Sequence, residues 1–124
     1  MKKIIYTPNA PEPVGPYSQA VEINGTLYIS GQIPINPDNG KIPDGIEAQT
    51  KQVMENISAI LKVAGYSFGD VIKSTCLLND MNNFKAMNEI YATYYKNDSP
   101  ARAAFQVARL PLDVMVEIET IAVK

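Results

Sequence analysis

The sequence predicts an α+β domain: one mixed six-stranded sheet with two helices packed on one of its faces. Three observations predict it. Six short segments rich in branched and aromatic residues read as strands, and two longer ones carry apolar side chains at helical spacing. The stretch between residues 31 and 70 holds the first helix and is long enough for a crossover, so parallel as well as antiparallel pairing is available. A chain of 124 residues, 46% of them hydrophobic, can bury one core and not two, and residues 1–124 are expected to form a single domain.

Taken in order, the first three strands are expected at about residues 2–6, 17–23 and 26–31. Pro8, Pro11, Pro13 and Pro16 lie between the first two, so residues 7–16 should run as an irregular arm. Asn24-Gly25 separates the second and third, and that dipeptide is the one a two-residue hairpin turn prefers. The first helix should open at Asp44, with Glu47 three residues on as a capping box. Ile46, Val53, Ile57, Ile60, Leu61 and Ala64 follow a 3.6 period, and Gly65 stands where a closing glycine belongs. A fourth strand is expected over 70–79. The second helix should start near Asn83, line one side with Phe84, Met87, Tyr91, Tyr94 and Tyr95, and stop before Asn97-Asp-Ser-Pro100. Strands over 101–107 and 113–123 then flank a turn at Pro111.

Two amphipathic helices cover one face of such a sheet and leave nothing for the other. Yet Leu27 and Ile29 oppose Tyr28 and Ser30, and Val116 and Ile118 oppose Met115 and Ile121, which puts apolar groups on both sides. An uncovered apolar sheet face of that size marks an interface, and a homo-oligomer is expected.

Composition excludes several chemistries. The chain has no histidine, so Ser-His and Cys-His nucleophile pairs and a histidine-ligated zinc are ruled out. Its one cysteine, Cys76, can form neither an intrachain disulfide nor a thiolate cluster. A zinc deaminase needs a Cys/His ligand set that this sequence lacks. Hydrolysis would have to run on Arg, Glu, Tyr, Ser and backbone groups. The net charge of −2, with lysines and arginines scattered along the chain, argues against a nucleic-acid surface. No apolar run approaches the roughly 20 residues that span a bilayer. Lys2 and Lys3 are followed by no signal-type apolar segment, so no membrane partner and a cytoplasmic location are expected.

Charge placed where a strand should carry apolar groups picks out the candidate site. Arg102 shares a strand face with Ala104 and Gln106 and has Ala101 and Ala103 beside it, which suggests an open cationic recess. A guanidinium fork fits a carboxylate bidentately, although most arginines close surface ion pairs. Glu117 and Glu119 point together from the last strand, and Glu117 reads equally as an interface ion pair or a catalytic carboxylate. Tyr17 could be a core ring, and Ser30-Gly31 a tight turn that lets another group approach closely. Asn88, in mid-helix, is either a solvated polar residue or part of a cleft. Cys76 reads as core, and Tyr91, Tyr94 and Tyr95 as packing residues.

Gly15-Pro-Tyr-Ser-Gln19, Tyr28-Ile-Ser-Gly-Gln-Ile-Pro34, Gly69-Asp-Val-Ile-Lys-Ser-Thr75, Asn88 and the stretch from Ser99 to Lys124 occur in the order and spacing of the Rid family. This family of reactive-intermediate deaminases is also called YjgF or L-PSP. The resemblance covers essentially the whole chain and is greatest to the RidA subgroup. It implies a chorismate-mutase-like fold, a homotrimer with ligand clefts between subunits, and no cofactor or metal. It also implies hydrolysis of 2-imino acids or their enamine tautomers, such as 2-iminopropanoate and 2-iminobutanoate, to 2-oxo acids and ammonia. Under it, Arg102 binds the substrate carboxylate and Glu117 lies near the attacking water. Tyr17, Ser30, Gly31 and Asn88 line the cleft. Ala104 departs from members that carry a cysteine there, so cysteine-dependent activities do not transfer, and the short loop at 96–99 alters the cleft rim. Two other classes stay open: a non-catalytic module that senses 2-oxo acids, and an endoribonuclease or translation inhibitor.

Overall fold

The computed structural model describes residues 1–124. Strands β1 (Lys3–Ile5), β2 (Ala20–Ile23), β3 (Thr26–Gln32), β4 (Val71–Leu78), β5 (Ala101–Gln106) and β6 (Val116–Val123) form one sheet in the order β1-β2-β3-β6-β4-β5. Helix α1 (Ile46–Ala64) joins β3 to β4, and α2 (Phe84–Tyr91) joins β4 to β5. Every pair is antiparallel except β4 with β5. The sheet is mixed as expected, but α2 makes its parallel pair; β6 separates the two strands that α1 connects.

The β2–β3 hairpin turns at Asn24 and Gly25, with φ of 50° and 78°. Two consecutive positive φ values give a tight turn the twist that its strands need. Helix α1 buries Val53, Met54, Ile57, Ile60 and Leu61 against the sheet, and Gly65, at φ 83°, closes it in the left-handed conformation. Its start differs from expectation: Gly45, not Asp44, is the N-cap, and no side chain caps it. Helix α2 is shorter than its apolar stripe suggested. Single 3₁₀ turns over Met81–Asn83 and Ala92–Tyr94 take up its ends, and the Asp80 carboxylate accepts the Asn82 N–H at 2.9 Å.

Both helices lie on one face. There Leu27, Ile29, Val71, Cys76, Leu78, Val116, Ile118 and Ala122 are buried with the α1 stripe and with Met87, Tyr91 and Tyr95. Cys76 belongs to this core, and burial pushes its thiol up to about 11. On the other face, Ile4, Val21, Tyr28, Ile121 and Lys73 stand in one row across five strands. Ile4 is 53% exposed, Tyr28 48% and Phe105 49%. No element of the chain covers them.

Candidate functional site

Cross-strand register divides the candidate residues between the two faces. Arg102 stands beside Ser74, which is buried under the helices, so its side chain is on the helix face. Glu117 stands beside Leu77, and Leu77 beside Phe105, on the face opposite the helices, where Leu77 packs against a small second core of Ile33, Leu110 and Val114. Arg102 and Glu117 are therefore separated by the sheet, and one chain does not bring them together.

The recess expected around Arg102 is not open. Ala101 and Ala103 point to the opposite face, and α2 covers the guanidinium instead. Phe84, Asn88 and Tyr91 line one stripe of that helix at spacings of four and three residues. The guanidinium carbon lies 5.4 Å from the Phe84 ring centroid and 5.0 Å from that of Tyr91. Nη1 donates to Asn88 Oδ1 at 2.7 Å, which explains the polar residue in mid-helix. The chain's only ion pair is Arg109 with Asp113, so half-buried Arg102 has no acidic partner. Its positive charge is held by neutral groups and left uncompensated, an arrangement suited to an anionic ligand.

Glu117, Gly31, Ser30 and Tyr17 form the second group. Ile29 pairs with Thr120 and Gln32 with Ile118, which leaves Ser30 and Gly31 opposite Glu119 alone. That is a β-bulge inside β3, where the sequence suggested a strand end. A Cβ at Gly31 would overlap Glu117 Oε2 and lie 3.0 Å from its Cδ. The carboxylate thus rests on the bulge because residue 31 has no side chain. Burial first, and the charge of Glu119 second, hold the Glu117 carboxyl above the usual glutamate range. Gln49 fixes the start of β6 by accepting the Met115 N–H at 2.8 Å.

Tyr17 sits on the irregular arm and is 45% exposed, so it is not a core ring. Its oxygen accepts the Val14 N–H at 3.2 Å. The arm is tied down by buried Gln19, whose amide nitrogen donates to the carbonyls of Thr7 and Pro11 at 3.0 Å while its oxygen accepts the Thr7 N–H at 2.8 Å. Sequence reasoning assigned Gln19 no role; a glutamine three residues past the last proline of the arm was the available signal. Ser30 donates to the Ser18 carbonyl at 2.7 Å, joining the arm to the bulge. Tyr17 and Gly31 line one narrow cavity with Pro11, Gln32 and Ile35. A broader hollow of about 330 Å³ on the uncovered face holds Ser30 and Glu119 with Tyr28, Lys73 and Ile121.

The chain thus carries two groups of candidate residues: a cationic one at the β5 edge, and one of carboxylate, hydroxyl and phenol groups around the β3 bulge. Residues 7–124 match the model of the family described as endoribonuclease L-PSP. A RutC family protein from Pyrococcus horikoshii is 58% identical over 100% of this chain and 99% of its own. The 2-iminobutanoate/2-iminopropanoate deaminase of Mus musculus is 50% identical, covering 100% of this chain and 93% of its own. The crystal structure of E. coli TdcF with bound serine superposes with a TM-score of 0.94 at 44% identity, over 98% of each chain. A family match over nearly its whole length, with relatives as much alike as these, shows that the chain belongs to the Rid, or L-PSP, family.

Proposed function

We propose that the protein hydrolyses reactive 2-imino acids, such as 2-iminopropanoate and 2-iminobutanoate, to 2-oxo acids and ammonia, without a metal, in clefts between the subunits of a homotrimer. One observation carries the reading: Arg102 is half-buried, oriented by neutral partners and without an acidic one. The mouse relative's name supplies the substrate class. Apolar residues exposed across the uncovered face support assembly.

In this mechanism Arg102 binds the substrate carboxylate through its fork and fixes the distance to the imine carbon. Glu117, its pKa raised by burial, takes a proton from water as the oxygen adds to that carbon. The proton returns to the imine nitrogen to give a carbinolamine; its hydroxyl proton then passes by way of Glu117 to the nitrogen as the C–N bond breaks, leaving the C=O of the 2-oxo acid and releasing ammonia. Ser30 and the bulge backbone hydrogen-bond water or nitrogen, and Tyr17 packs the small alkyl group. The imine hydrolyses unaided in water, so a spare constellation suffices.

The test is a coupled assay in which an amino-acid oxidase or threonine dehydratase generates the imine and semicarbazide traps the remainder. Wild type should lower the trapped imine, and Arg102→Ala should not. No acceleration over buffer would refute the deaminase and leave a 2-oxo acid-binding module as the reading; RNA cleavage, the activity in the family's description, would be assayed next.

A further inference from the structure

We propose that Phe84 and Tyr91 are positioning residues: with Asn88 they clamp the Arg102 guanidinium so that a ligand carboxylate meets only the edge away from Asn88. The proposal rests on Arg102 being the carboxylate anchor. Both ring centroids lie within about 6 Å of the guanidinium carbon, the range in which a ring face attracts a cation. Asn88 occupies Nη1 at 2.7 Å and the neutral Cys76 thiol lies on the guanidinium's buried side, so the N–H groups turned away from both are the ones a ligand meets. All three partners are uncharged. They remove rotamer freedom before a ligand arrives, yet leave the charge for it, whereas an acidic partner would do the first and cancel the second.

The Tyr91 wall is rigid. Tyr91 is 6% exposed and packs on Tyr95 with centroids 4.8 Å apart, and Tyr95 meets Phe68 edge-on at 5.3 Å. The Tyr91 hydroxyl is buried without a hydrogen bond, so the ring and not the oxygen serves the clamp. Phe84 closes the rim, half-buried where α2 begins.

Calorimetry with 2-oxobutanoate, beside steady-state kinetics, tests the clamp. Phe84→Leu and Tyr91→Leu should each raise Kd and KM about three- to tenfold, the range a partly desolvated cation–ring contact supplies. Because carboxylate binding is common to ground and transition states, kcat should stay within about twofold. Phe84→Tyr and Tyr91→Phe, which keep the rings, should keep the affinity. Leucine variants with wild-type Kd would overturn the clamp and spare Arg102 as the anchor. A fall in kcat at unchanged Kd and KM would mean only a damaged fold and also overturn it. Should Tyr91→Leu not fold, Phe84 at the rim decides. If wild type binds no 2-oxobutanoate, the anchor fails and the clamp goes with it.

Discussion

One methyl group at Gly31 would separate the role proposed for Glu117 from that of every other candidate residue. A Cβ there would overlap Glu117 Oε2 and stand 3.0 Å from Cδ and 3.2 Å from Cγ. Gly31 does not lie in the left-handed region, so alanine fits the backbone and the whole cost falls on the carboxylate. Restoring ordinary contact, about 3.4 Å, moves the overlapping Oε2 outward by roughly 1 Å. The side chain can take up that shift by leaving its rotamer at about 0.5–1.5 kcal/mol, so melting should fall by only a few degrees (about 4 °C per kcal/mol in a domain of this size). Catalysis should respond far more, since a misplacement of about 1 Å costs on the order of 100-fold. Semicarbazide trapping is the assay for turnover, and calorimetry with 2-oxobutanoate is its control, because the carboxylate is held by the Arg102 fork, which the change at residue 31 leaves intact. Gly31→Ala with wild-type kcat/KM would refute the placement of water by Glu117. A variant that lost binding together with turnover would refute the division of roles, Arg102 for the carboxylate and Glu117 for water.

Two further changes address the charges. Glu119 raises the Glu117 pKa, so Glu119→Gln should lower it; the base then stays ionised to lower pH and the acid limb of kcat/KM moves down. An unmoved limb in the pH–rate profile would mean that Glu117 is not the titrating base. Asn88→Asp puts a carboxylate 2.7 Å from Arg102 Nη1, and compensating that charge should weaken 2-oxobutanoate binding by about tenfold or more. Calorimetry decides, and an affinity equal to that of wild type would show that the charge is not the attraction.

Local rules read much of this fold correctly. Asn24-Gly25 made its hairpin, the 3.6 period made α1, and Gly65 closed it, because each depends on neighbours in sequence. Asp44 failed as a cap because the chain enters α1 through Gly45 at φ 90°, which leaves no side chain at the N-cap. The stripe from Phe84 to Tyr95 outruns α2 because its last residues pack from a 3₁₀ turn and the non-helical residue after it. Alternation placed Arg102 with Ala104, and Glu117 with Glu119, correctly within each strand. It does not relate one strand's faces to another's; that takes the pairing of β4 with both β5 and β6, a tertiary fact. Hence the residue types were legible, while the α2 cover over Arg102, the bulge under Glu117 and their opposite faces were not.

If Arg102 and Glu117 act together as proposed, their opposite faces make assembly part of the chemistry, and mixing inactive variants tests this directly. Arg102→Ala keeps the Glu117 half-site and Glu117→Ala keeps the Arg102 half-site, so a cleft built from two subunits can be repaired by pairing one of each. If the variants are denatured together and refolded in equal amounts, subunits distribute at random around the proposed ring. Each cleft then draws a wild-type arginine from one neighbour with probability one half and a wild-type glutamate from the other with the same probability. About a quarter of the clefts are therefore intact, and about a quarter of wild-type activity should return. Mixing without unfolding should restore it only as fast as subunits exchange. A site completed within one chain would give no recovery, since no chain in the mixture holds both residues. Persistent inactivity in refolded mixed oligomers would refute the shared cleft, even if each variant alone behaved as predicted.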